Sequence, residues 1–389
     1  MSQTDFDQIQ TALSNGGTAA ALDCLEQSLR SQKKYHELFE ALKMQLRQQL
    51  GLPIWYQETA SDNGLDADVE ERLEKGLLDA CQQVGMALLD EGHVREAWMY
   101  LRPVGNKTQV AERLCQLDVA EDQIDELIEV TVYEGVDPPA GFARILDHYG
   151  ICNAITTFDS HAPAMEASAR RAVAGMLVRH VYQELVENIR AHIERQEDQA
   201  PTTLSLCELC EDRDWLTADG NYHIDTSHLS SVVRCGRLLE DRAELELALE
   251  LTEYGQRLDK TLQYAGEEPF ADNYRAHKHY FHATLGQHVD EALEFFRERA
   301  ETVDAHQEGT LAIEVYVELL ADCGKLEEAL DTSLSMLPPG THTRGAAPSL
   351  LELSRQAGNY EKVTHLCRER GDLLGFATAL LHASSDNSQ

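Results

Sequence analysis

"LLADCGKLEEALDTSLSML", residues 319–337, decides the fold. Leu319 and Leu320 close an apolar run, Gly324 interrupts it, and Ala329 follows five positions later inside a second run with helical spacing. Glycine adopts the left-handed conformation that ends a helix without steric cost, and a small residue early in the next helix lets the two pack closely. The stretch therefore predicts a helical hairpin that turns at Gly324.

The same outline recurs. "LLDEGHVREAWMYLRPV" (88–104) pairs Gly92 with Ala97, and "LSRQAGNYEKVTHLC" (353–367) pairs Gly358 with Val363. "FHATLGQHVDEALEFFRERAE" (281–301) has one residue more between Gly286 and Ala292, and "LSNGGTAAALDCLEQSLRS" (13–31) repeats the shape near the start. From Gly324 to Gly358 is 34 residues, and from Gly286 to Gly324 is 38. Over about 275–375, and again over about 80–115, the chain resembles the tetratricopeptide-repeat family, whose unit is a helical hairpin of this length. The resemblance implies an all-α fold, a right-handed superhelical array of helical hairpins (a TPR-like α-solenoid), with a concave face that binds peptides or proteins.

Elsewhere the helical period persists without the repeat. In "EASARRAVAGMLVRHVYQELVENIRAHIERQED" (166–198), Val173, Leu177, Val181, Leu185, Ile189 and Ile193 recur every four residues, which predicts one long helix. Period-two alternation, the mark of strands, is almost absent. The organisation expected is N-terminal hairpins over 1–130, a divergent central helical region over 131–270, and C-terminal repeats over 271–389. In the central region Gly150 precedes Ala154, and Asp241 marks a turn between two helices, so divergent hairpins are expected there too.

Composition narrows the partners. The 389 residues carry 33 basic and 68 acidic side chains, a net charge of -35. Such an acidic protein repels phosphate backbones and anionic lipid heads, which argues against nucleic acid and membrane surfaces as partners. The opening "MSQTDFDQIQ" lacks a signal peptide's basic and apolar regions, so a cytoplasmic location is expected; charge leaves the oligomeric state open. Nine cysteines scattered along the chain read as reduced thiols, and "CELC" (207–210) as two helix cysteines one turn apart or, less simply, as a redox or metal pair.

"GNYHIDTSHLSSVVR" (220–234) concentrates ionisable groups. His223, Asp225 and His228 form an N, O, N set of the kind that holds zinc, iron, manganese or nickel with a position open for chemistry. His279 or His282, in "NYRAHKHYFHATLGQHVDE" (273–291) with His277 and His288, is the natural further ligand. The same residues also read as a helix start, with Asp225 as N-cap before Leu229, Val232 and Val233. On the long helix, His180, Glu184 and Asn188 follow at i, i+4 and i+8 beside the apolar stripe, where a histidine and a carboxylate suit general-base work. Arg102, Glu134, His148, Tyr149, Asn153 and Arg234 are the remaining polar residues beside helix ends.

Phosphate loops, nucleophile elbows, kinase signatures, dinucleotide fingerprints and HExxH are all missing from the sequence. Two expectations follow. The first is an interaction protein that binds a peptide or protein on its concave face and uses no cofactor. The second is a metal-dependent hydrolase or lyase acting on a small-molecule substrate: His180, Glu184 and Glu134 catalytic; Arg102, His148, Tyr149, Asn153, Asn188 and Arg234 binding; His223, Asp225, His228 and His279 on the metal.

Overall fold

A computed structural model describes residues 3–55, 65–117, 121–338 and 347–386. The described residues are helix, turn and loop, without a strand. Their eighteen α-helices are α1 Gln3–Ser31, α2 Tyr35–Gln49, α3 Ala67–Asp90, α4 Val94–Leu101, α5 Lys107–Leu114, α6 Ile124–Ile128, α7 Pro138–His161, α8 Ala167–Glu197 and α9 Leu206–Cys210. They continue with α10 Thr226–Cys235, α11 Arg242–Arg257, α12 Asn273–Thr284, α13 Val289–Thr302, α14 Leu311–Asp322, α15 Leu326–Met336, α16 Leu350–Ala357, α17 Glu361–Arg370 and α18 Leu373–Asp386.

The hairpin turns fall where glycine spacing places them. Gly92, Gly286, Gly324 and Gly358 have φ of +84°, +72°, +76° and +65°, a region in which a β-carbon is strained. Their partners in the following helices are sealed: Ala97, Ala292 and Ala329 are at most 1 % exposed and Val363 is 6 % exposed. Gly150 also takes a positive φ inside α7, with Ala154 fully buried after it. Asp241 caps α11 by accepting the Glu244 main-chain N–H, and Ser349 with Glu352 forms a capping box on α16.

Contacts divide the chain into two compact units, Met1–Ala154 with Asp159–Arg170, and Arg171–Gln389 with Ile155–Phe158. In the first, α1 packs on α2, α2 on α3 and α3 on α4, around a core that includes Leu38, Val84, Leu88, Leu89 and Trp98. In the second, each helix from α10 to α18 packs on the next. There α10 also touches α12, α12 touches α14 and α16 touches α18, so the alternate helices α10, α12 and α14 form a layer.

Helix α8 is a single 31-residue element, and all six residues of its apolar stripe are fully buried. Each such side chain stabilises the fold by about 1.5–3 kcal/mol. Close packing also needs Gly255 on α11, where a β-carbon would lie 2.3 Å from the ring of Tyr274. No helix among the described residues is long and apolar enough to cross a membrane.

Candidate functional site

Asp225 turns to its own helix. Its carboxylate accepts the main-chain N–H of Ser227 at 2.8 Å and of His228 at 3.2 Å, and the Ser227 hydroxyl at 2.5 Å. These bonds, that of the hydroxyl first, hold the carboxyl below its usual range. Two orphan amides of α10 are thereby satisfied, which is the work of an N-cap.

His223 points elsewhere. Its Nδ1 lies 3.0 Å from the hydroxyl of Tyr254 on α11, and its Nε2 lies 2.7 Å from Nδ1 of His192 on α8. Its main-chain N–H donates to the Tyr254 hydroxyl, and its carbonyl accepts from Asn188. Trp215 meets the His192 ring edge-on at 5.0 Å. Burial first, then the positive charge available to His192, lowers His223 to about 4. His279 stacks on Phe295, with ring centroids 4.3 Å apart. Among the described residues no group of three or more His, Cys, Asp or Glu is arranged to hold a metal, so His223, Asp225, His228 and His279 do not converge on one.

The other expected residues disperse as well. His180 is half-buried, Glu184 and Asn188 are exposed, and no ion pair joins His180 to Glu184. Glu134 belongs to the first unit, where exposed Arg102 meets its half-buried carboxylate at 3.5 Å. Also in the first unit, the Tyr149 hydroxyl donates to Asp125 at 2.6 Å and Asn153 donates to the Tyr149 carbonyl. His148, between these elements, is exposed, and Arg234 donates to Ser231. The CELC cysteines lie on α9, whose first amides, Leu206 and Cys207, donate to Glu250 of α11 at 2.7 and 3.3 Å. Burial raises both thiols, away from the reactive thiolate.

A denser polar centre lies on the layer of alternate helices. Helix α14 is buried at every position except Leu311, Glu318, Ala321 and Asp322, a narrow stripe along one side. Two of these four are carboxyls one turn apart, and Glu314, fully buried one turn earlier, accepts the Thr310 hydroxyl at 2.6 Å. Neither Glu318 nor Asp322 has an ion pair among the described residues. Burial, then repulsion from Asp322, pushes Glu318 up to about 8, against opposing pulls from Arg237 and the hydroxyl of buried Tyr280. Partial burial raises Asp322 too, although the residue as a whole is exposed.

Arg237, just after α10, lies over the Phe270 ring at 4.4 Å, and its buried Nε–H has no acceptor among the described residues. On α12, His277 is fully enclosed: Nδ1–H donates to the Asn273 carbonyl, Nε2 is unbonded, and burial lowers the group to about 3. Asn273 donates to Ser230 of α10 while its Oδ1 stands free. A buried polar atom left unbonded costs about 1–3 kcal/mol, so this strip is maintained at an expense to stability.

Sequence reasoning passed over Arg237, Tyr280, Glu318 and Asp322. The available signal was "LAIEVYVELLAD": a helix apolar on nearly all sides is interior, and carboxylates at i, i+4 and i+8 in it need a reason. A second surface, an apolar groove of about 570 Å³, runs between α15, α16, α17 and α18, walled by Leu334, Leu337, Leu351 and Leu366. No protein-family model, no curated protein and no solved structure matches the chain.

Proposed function

We propose that the chain is a helical-repeat interaction protein that binds a peptide or protein segment across α10, α12 and α14. The observation behind this reading is the α14 stripe: the uncovered side of an otherwise interior helix carries half-buried Glu318 and exposed Asp322, and neither has an ion pair among the described residues. Unmet polar groups beside an accessible surface are met by a ligand's hydrogen bonds and charges. The likeness to tetratricopeptide hairpins supports the same role, since stacked hairpins present an extended face to a chain laid across them.

A random peptide library displayed on phage, panned against the full chain, tests this. Enriched peptides should bind wild-type protein in calorimetric titrations and lose at least about tenfold in affinity, or about 1.4 kcal/mol, to Glu318→Ala/Asp322→Ala. A library that yields no binder, or binders indifferent to that double substitution, overturns the assignment.

A further inference from the structure

Helix α18 has one enclosed side and one bare side. It packs on α16 and α17, with Ala379 fully buried and the Phe376 ring 4.8 Å from the Arg368 guanidinium. On the other side Leu373, Leu374, Leu380 and Leu381 are 47–80 % exposed, and with exposed Ala377 they occupy about a third of the helix circumference. Scattered exposed leucines need no explanation, but four of the six exposed among the described residues fall within this short stretch. Their apolar surface continues through Leu374 into the groove walled by Leu334, Leu337 and Leu366.

Two features of the bare side bear on what covers it. The first is its order: Leu373 and Leu374 precede Ala377 by four and three residues, and Leu380 and Leu381 follow it by three and four. A stripe that reads the same in both directions fits an antiparallel copy of itself across a two-fold axis at Ala377. Leu373 then meets the second copy's Leu381 and Leu374 its Leu380, while the small alanine lets the helices approach closely. The second feature is charge. From Leu373 to Ser385 there is no Asp, Glu, Lys or Arg, in a chain where these make up 26 % of residues and a net charge of -35 drives copies apart. Contact along this stripe therefore sets no like charges face to face. Eight leucines from two stripes withdraw on the order of 1,000 Å² from water, the size at which a specific interface begins. We propose that α18 is a homodimerisation helix, pairing antiparallel about Ala377 with α18 of a second copy of this chain.

Sedimentation velocity of the full chain from about 1 to 100 μM tests this. Wild-type protein should pass from monomer to dimer without larger species, because a two-fold contact closes on itself. Raising NaCl from about 0.05 to 0.5 M should tighten the dimer, since salt screens the repulsion between acidic bodies and leaves the apolar contact intact. Leu373→Ala/Leu381→Ala, which keeps a good helix former at both positions, should weaken it at least tenfold. Leu373→Glu/Leu381→Glu, which sets carboxylates opposite one another, should abolish it, whereas Met99→Glu, at a comparably exposed position of α4, should change it less than twofold. A short bismaleimide should join Ala377→Cys to itself above the wild-type background, and should join Leu373→Cys to Leu381→Cys more readily than Leu373→Cys to itself. A monomer at every concentration, a dimer indifferent to the α18 substitutions or loosened by salt, open-ended association, or linking that favours Leu373→Cys with itself would each overturn the proposal.

Discussion

His192 Nδ1 lies 2.7 Å from Nε2 of His223. The Tyr254 hydroxyl, which accepts the His223 main-chain N–H, lies 3.0 Å from His223 Nδ1, so both ring nitrogens of His223 have a partner. The enclosed ring is neutral, in keeping with its pKa of about 4. The unfolded chain takes up a proton there first, so the contribution of His223 to stability is complete above about pH 6.5 and is lost as pH falls toward 4. In a Glu318→Gln background, where the opposing titration is removed, the loss of stability by urea unfolding between pH 6.5 and 5 should be about 1 kcal/mol smaller when His223→Gln is added, the remainder belonging to His277. An equal loss with and without His223 would contradict the buried, neutral assignment.

Asp225 supplies the clearest separation of cap from ligand. Asp225→Ala removes the acceptor for the Ser227 and His228 amides and should cost about 1 kcal/mol, whereas Asp225→Asn should recover most of it. Thermal unfolding with and without added zinc checks both halves. A metal-dependent stabilisation lost with Asp225 would restore the residue as a ligand.

Glu250 binds α9 to α11 through the Leu206 and Cys207 amides, the Ser205 hydroxyl at 3.2 Å and the Tyr182 hydroxyl at 2.7 Å. Glu250→Ala strands several of these donors at once and should destabilise the fold by about 2–4 kcal/mol. With the carboxylate gone from the α9 N-terminus, iodoacetamide should alkylate Cys207 faster at pH 7.5. An unchanged rate together with unchanged stability would show that the cap matters little.

Glu318 has the opposite sign to His223. Its pKa is raised to about 8, so the fold favours the protonated acid, and stability falls as pH rises from about 4.5 through 8. Glu318→Gln should therefore stabilise the chain by about 1–2 kcal/mol at pH 7.5, with the gain vanishing below pH 4.5. Paired denaturation curves at the two pH values decide it. A destabilised variant at pH 7.5 would mean that the carboxyl is charged and paired in the fold.

The sequence announces whatever obeys a local rule. Gly324 and Ala329 mark a hairpin because left-handed backbone and close packing each restrict the residue type, and the α8 stripe is legible because burial repeats with the helical turn. Asp225 was ambiguous because capping and ligation use the same oxygen atoms. His223 stands beside Asp225 and His228 in sequence, yet its partners are His192 and Tyr254, each 31 residues away. Arg237, Tyr280 and Glu318 come together only once α10, α12 and α14 have packed, and no spacing along the chain encodes that meeting.

The most direct check on peptide binding places a photoreactive benzophenone side chain at Ala321, on the α14 stripe between Glu318 and Asp322, and irradiates the full chain with a panned peptide. Covalent capture at position 321, competed away by unlabelled peptide and absent when the same group replaces exposed Glu187 on α8, is the outcome expected. Capture at position 187 but not at 321 would place the ligand elsewhere and contradict the account.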